Sequence, residues 1–285
     1  MRMTIARSVA MLMLAVGGGL LFVFPAAAQQ SPDRFQRSFS IQSGGTLAVS
    51  NFKGLIRVTG SDSSQVIVDV VKKFEGTDKD KTWWMANTNV QFANTADRVA
   101  ISVEYPNCDC SGPDWGSHDD YQASVELTIQ VPRKVNVELQ GHKPVMNISG
   151  IDGNVRITSH KAPIEIQATT GAINIETYKE TVRLKDVTIR GALDVQMAKG
   201  EALIEAKSLG DRVNLETEKG NIVLKAPQNA AMTLDFSGGR RSNFQTDFTI
   251  AAETGSSGSV RGTINGGGTQ VHLRSEKGSI TVEKL

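Results

Sequence analysis

The 285-residue sequence is poor in aromatics, at 6 %, and holds only two cysteines and eight prolines. Two cysteines exclude a disulfide-dense scaffold. Few rings exclude a thick core built on Phe and Trp. Charge of one sign is missing too, since 31 basic residues face 30 acidic ones. That balance exerts no global pull on nucleic acid, and no nucleic-acid partner is expected. Long apolar runs are absent except for Val9 to Phe24, which follows Arg2 and Arg7 and leads into Pro25-Ala26-Ala27-Ala28. A basic start, a short apolar stretch and a small-residue site describe a cleavable secretory signal over residues 1–28. The run is short for a span and no basic stop-transfer segment follows it. No Cys stands at the cut, which argues against a lipid anchor. Removing the leader takes away two Arg and no acids, leaving 29 basic against 30 acidic residues, a net charge of −1. The rest has no second long apolar run, so no transmembrane segment is expected in the mature chain.

Glycine is plentiful, at 27 residues, and a repeat accompanies it. Aligning on Lys53, Lys143, Lys161, Lys179, Lys199, Lys219 and Lys277 puts apolar residues three and five positions after every lysine. The pairs are Ile56/Val58, Met146/Ile148, Ile164/Ile166, Val182/Leu184, Ala202/Ile204, Ile222/Leu224 and Ile280/Val282. From Lys143 to Lys219 the spacing is 18, 18, 20 and 20 residues. Between the lysines lies a second alternating set: Val155/Ile157, Ile173/Ile175, Leu193/Val195 and Val213/Leu215. Alternation with period two means strands with one covered face. Strands this short cannot cover that face alone, but stacked coils can. The fold expected is an all-β, parallel β-helix or β-solenoid with about two short strands per 18–20-residue coil. An antiparallel sandwich with regular hairpins is the alternative.

The organisation expected is a flexible N-terminus at 29–37 and a single domain over 38–285. Within it, 38–132 forms a broader first section with a loop at 104–122, and 133–237 forms the regular coils. Thr82 to Asn87, with Trp83-Trp84, reads as a short helix or plug. The Gly/Ser/Thr-rich stretch 238–269 reads as a loose excursion before final strands at 270–285. Glu276, Lys277, Glu283 and Lys284 flank the last strand as charges that would guard an edge.

These units resemble the bacterial DUF4097 family, often called adhesins. The resemblance runs through Gly44-Gly45-Thr46-Leu47-Ala48-Val49-Ser50-Asn51, Lys53-Gly54-Leu55-Ile56-Arg57-Val58 and Val125 to Pro132. It continues through Gly262-Thr263-Ile264-Asn265-Gly266-Gly267-Gly268, Val271-His272-Leu273-Arg274 and Lys277-Gly278-Ser279-Ile280. It implies a right-handed β-helix-like fold at the cell envelope, with an association to envelope stress in some relatives. It carries no catalytic residues.

Three sets of residues are candidates. Lys143, Lys161, Lys179, Lys199 and Lys219 would form a ladder along one edge, with His142, His160 and Tyr178 beside them. Such a ladder suits an anionic glycan or another envelope polymer; as a solvated turn softened by Glu180, Glu201 and Glu218 it needs no ligand. The second set is the loop holding Cys108 and Cys110, with Trp115 and Tyr121 as aromatic anchors for a partner. Its cysteines admit a strained local disulfide, an intermolecular bridge, or a metal or redox site with His118 and Asp120. The third is an acid cluster of Glu176, Asp194 and Glu216, two of them two coils apart. Glycoside hydrolysis needs facing carboxyl groups and a raised acid pKa, and no apolar pocket is evident. No G-x-S-x-G, H-E-x-x-H or phosphate loop occurs, and Ser117-His118-Asp119 is a run, not a triad. The expectation is a non-enzymatic, exported periplasmic or surface protein without cofactor that binds or scaffolds an envelope polymer or protein. An envelope-stress sensor and a carbohydrate-active enzyme are the alternatives.

Overall fold

Alternating apolar residues must cover one face, and the computed structural model of the protein shows what covers it. It describes residues 33–75, 78–106, 123–239, 242–253 and 258–285. All the apolar pairs after the aligned lysines are buried, as are the eight residues of the intervening set. They face inward from two columns of parallel strands.

In the first column, residues 137–141 pair with Val155–Lys161, which pairs with Thr170–Lys179. The ladder continues through residues 192–199 and Arg212–Lys219. In the second column, residues 146–149 pair with Ile164–Gln167, then residues 182–185, Ala202–Ser208 and Ile222–Ala226 follow. Each coil gives one strand to each column, in chain order. A third short row adds to the expected two: Asp152 bridges Thr170, and Thr170–Thr188 and Thr188–Ser208 continue it. Its neighbours Ile151, Val187 and Leu209 are buried. An asparagine ladder ties the turns. Asn136 Oδ1 accepts the Asn154 N–H at 2.9 Å, and Asn154 Oδ1 accepts the Ala172 N–H at 3.1 Å.

The ends are built differently. The long strand Thr46–Ser61 runs parallel to Asn136–Ser149 over both columns, Lys53 opposite Lys143. On its other side lie Arg98–Glu104 and Ala123–Pro132, also parallel. So Arg98–Glu104 and Ala123–Pro132 lie outside residues 46–61 in the stack, although they follow them in the chain. Antiparallel strands finish this end: Asn89–Asn94 on Arg98–Glu104, Gln65–Phe74 on Ala123–Pro132, and Arg34–Ser40 on Gln65–Phe74. The strand from Arg34 replaces the flexible segment expected up to residue 37; Phe35 and Phe39 pack on Phe92 and hold it. The expected short helix spans Asp78–Asn87.

The other end mirrors this inversion. Thr269–Lys277 and Ser279–Lys284 pair with Arg212–Lys219 and Ile222–Ala226. Their far sides are covered by Met232–Gly238 and Asn243–Thr246, which precede them in the chain. Two expectations are corrected. The stretch 238–269 is no loose excursion, for it holds Asn243–Thr246, Ala251–Glu253 and Ser259–Ile264. The last strand is no edge, and its charges guard none: Lys225 Nζ binds Glu283 Oε2 at 3.1 Å within the stack. Small polar residues masked the strands because the backbone ladder holds them there with little apolar burial.

Candidate functional site

The lysines occupy the corner where a chain segment leaves the first column for the second. Register partners are Lys53 and Lys143, Lys161 and Lys179, then Lys199, Lys219 and Lys277. Neighbouring coils lie about 4.8 Å apart, so the cations are crowded along one line. Gly200 and Gly220 follow two of them with φ of 127° and 148°. A Cβ on Gly220 would lie 1.7 Å from the Gly200 carbonyl oxygen, so only glycine lets the coils close there. Lys179 faces Glu180 at 3.8 Å and Lys53 faces Glu75 at 3.6 Å. Glu201 instead accepts from Asn221 Nδ2 at 3.2 Å. Among the described residues, Lys161, Lys219 and Lys277 have no ion-pair partner within 4.0 Å.

The residue before each lysine builds a second ladder. Phe52 stacks on His142 with centroids 5.0 Å apart, His142 on His160 at 4.5 Å, and His160 on Tyr178 at 4.8 Å. The stack runs from a buried end, Phe52 and His142, to a 40 % exposed end, Tyr178. His142 Nδ1 and His160 Nδ1 are 3.2 Å apart. Beyond Tyr178 the same position holds Ala198, Glu218 and Glu276. Lys199 reaches back to Tyr178, its Nζ 3.1 Å from the hydroxyl and 5.2 Å from the ring centroid.

Below Phe52 the corner is closed by a polar network. Tyr105 packs edge-on against Phe52 at 6.0 Å. Its hydroxyl accepts the Val125 N–H at 3.1 Å, and its proton has two acceptors at 2.8 Å, Asn51 Oδ1 and the Lys53 carbonyl. Asn51 Nδ2 donates to the Val125 carbonyl at 2.8 Å. Burial pushes the Tyr105 phenol well above its ordinary value, outweighing the Val125 N–H bond that favours the anion. Cys108, Cys110, Trp115, His118, Asp120 and Tyr121 lie outside the described residues.

The acid cluster falls on the outward face of the first column. Glu176, Gln196, Glu216 and Arg274 are successive register partners, as are Asn174, Asp194, Asn214 and His272. Asp194 Oδ1 accepts from Gln196 at 3.3 Å and Asn214 at 3.2 Å. Glu216 lies 4.0 Å from His272 Nε2. None of these carboxyl groups is buried. Among the described residues no three His, Cys, Asp or Glu cluster as a metal site, and no helix is long and apolar enough to cross a membrane. The sequence reading placed His142, His160 and Tyr178 beside the lysines but missed their stacking. The signal was the 18-residue spacing applied one position earlier, which puts successive rings one coil apart.

Parallel columns, buried aliphatic ladders and polar outward rows define an all-β repeat protein. The chain matches the Toastrack DUF4097 family over residues 135–283, more than half its length, and belongs to that family. Solved structures similar to it include a proposed cell-adhesion protein from Clostridium sporogenes, at 8 % identity and a TM-score of 0.38, with 88 % of this chain and 100 % of that one covered. A proposed adhesin from Bacteroides fragilis shares 13 % identity at a TM-score of 0.38 over 90 % and 98 % of the two chains. A proposed lipid-binding protein from Parabacteroides distasonis shares 11 % at 0.26 over 89 % and 97 %. No curated protein matches the chain.

Proposed function

We propose that this chain is a non-enzymatic, exported envelope protein, a right-handed β-solenoid that binds or scaffolds an envelope polymer. Residues 1–28 would serve as the cleaved leader, and residues 38–285 would act as one unit in the periplasm or at the surface. The observation that carries the proposal is the register of the lysine corner, where Lys161–Lys179 and Lys199–Lys219–Lys277 stand coil on coil. The backbone ladder fixes the spacing of the lysines, so a regular polyanion meets them without any rearrangement of the fold. An anionic glycan is the ligand class this favours. The flanking carboxylates confine the attraction to the corner, since mixed charge elsewhere offers no broad field.

The competing enzyme reading has only Glu176, Asp194 and Glu216, all on an open sheet face without an apolar wall to hold an acid protonated. Titrating the purified protein with anionic and neutral polysaccharides, while assaying for cleavage, separates the readings. Salt-sensitive binding without product is expected. Turnover lost in Glu176→Gln/Glu216→Gln with binding intact would replace the proposal by the enzyme.

A further inference from the structure

The lysine corner contains a second kind of titratable group. His142 and His160, one position before Lys143 and Lys161, lie in direct contact, with Nδ1 atoms 3.2 Å apart and ring centroids at 4.5 Å. His142 is 3 % exposed and His160 is half-buried. Phe52 covers the far face of His142 at 5.0 Å, and Tyr178 covers that of His160 at 4.8 Å. The pair is therefore held between two other rings. An imidazolium carries a proton on both nitrogens. Two of them at this separation would set N–H against N–H, so the geometry accommodates one positive charge, which belongs to the pair and not to either ring.

The charged groups around the pair are mostly cations. Lys143 and Lys161 follow the two rings directly, Lys53 follows Phe52, and Lys179 follows Tyr178. Lys199 Nζ contacts the Tyr178 hydroxyl at 3.1 Å. The acids at this corner are Glu75, 3.6 Å from Lys53, and Glu180, 3.8 Å from Lys179. Glu176 stands opposite Thr158, two residues before His160. Tyr105, beyond Phe52, is kept protonated by burial. Lysines within a screening length of about 8 Å oppose a charge on the pair, and a polyanion lying along them removes that opposition.

Resting on the polymer-binding reading above, we propose that His142 and His160 make the corner a proton-coupled anion site: the pair takes up one proton as a polyanion binds, and binding tightens as pH falls through the histidine range. The ring faces of Phe52 and Tyr178 stabilise the imidazolium once it forms. Because the rings repeat coil by coil beside the lysines, the new charge extends the same ladder. The coupling is reciprocal: the factor by which the proton strengthens polyanion binding is the factor by which the polyanion strengthens proton binding.

The test is calorimetric titration of the purified protein with dextran sulfate, whose sulfate esters stay ionised throughout. Titrations at about pH 7.5 and about pH 5.5 bracket the ordinary histidine value. Affinity should be about tenfold higher at the lower pH. Heats in two buffers of different ionisation enthalpy should report uptake of about half to one proton per site near the middle of that range. His142→Phe/His160→Phe keeps four stacked rings and removes the titration, so uptake and pH dependence should both vanish while binding at the higher pH remains. His160→Phe, at the half-buried position, is the milder variant and should remove most of the uptake. His272→Asn, which changes a histidine beside Glu216 and Asp235, should leave both intact. Thermal melts at both pH values show that each variant is folded. Equal affinity at the two pH values without proton uptake overturns the coupling and leaves the polymer-binding reading standing. Uptake that persists in the double variant also overturns it, by assigning the proton to other groups. Absence of binding at either pH overturns the polymer-binding reading itself.

Discussion

The regular coils and the two ends use the same backbone ladder in opposite ways. From residue 136 to 226 each coil rests on the one made just before it, and chain order is spatial order. At the ends the order inverts: residues 46–61 lie inside Arg98–Glu104 and Ala123–Pro132, and residues 269–284 inside Met232–Gly238 and Asn243–Thr246. Antiparallel strands lie outermost at the first end, and at the other Ser259–Ile264 runs antiparallel on Met232–Gly238, where a parallel coil would leave an open ladder. Nearest-neighbour stacking makes the centre depend on local contacts, while the ends depend on pairings distant in sequence.

The sharpest contrast is steric. Gly220→Val in the centre meets the Gly200 carbonyl and a positive φ together, and should cost about 3 to 5 kcal/mol. Gly266→Ala at the end, with φ of 85° but open space around it, should cost about 1 to 2 kcal/mol. Urea unfolding of both variants measures the gap; equal losses would mean that the central coils can spread. Core truncation comes next. Leu215→Ala, fully buried between coils, should lose about 3 kcal/mol, whereas Val260→Ala in a half-covered end strand should lose about 1 kcal/mol.

A third effect sits at the junction of the two regions. Tyr105→Phe leaves the Asn51 and Lys53 oxygens without their donor and should cost about 1 to 3 kcal/mol. The sign of its pH dependence follows from the raised phenol. Its stabilisation is complete below the unfolded value of about 10 and falls as pH rises through the folded one. Alkaline unfolding above about pH 10 should therefore be shallower in Tyr105→Phe than in the parent protein. The smallest effect belongs to Arg98, whose guanidinium reaches Glu138 at 2.7 Å. The pair links two strands diagonally over the strand between them, where Arg98 is opposite Thr46 and Glu138 is opposite Ala48. Both groups are about half exposed, so Arg98→Ala should cost less than about 1 kcal/mol and depend on salt.

The central coils were legible because one physical rule acts on every turn: two inward aliphatic residues after each lysine, all of them buried. The register followed too, since an 18- or 20-residue period leaves one way to stack the lysines. The ends were less legible because period carries no information about which coil a segment joins. Val125 to Val131 read correctly as a strand, yet nothing in it says that it lies outside residues 46–61. Likewise Asn243–Thr246 and Ser259–Ile264 are held by ladder bonds rather than by an apolar pattern. Of the candidate site, lysine neighbours and outward columns could be read by counting. The aromatic stack could not, because it depends on which corner side chains are large rings.

The most direct measurement is the salt dependence of polyanion binding in the parent protein and in Lys161→Gln/Lys179→Gln/Lys199→Gln. Glutamine keeps the turn and removes only charge. A lysine corner that engages a polyanion releases counterions in proportion to the lysines engaged. The account predicts that the slope of log affinity against log salt falls by about two to three units in the variant, with its melting behaviour unchanged. An unchanged slope would contradict it, placing any polyanion contact elsewhere and leaving the lysines as solvated turns.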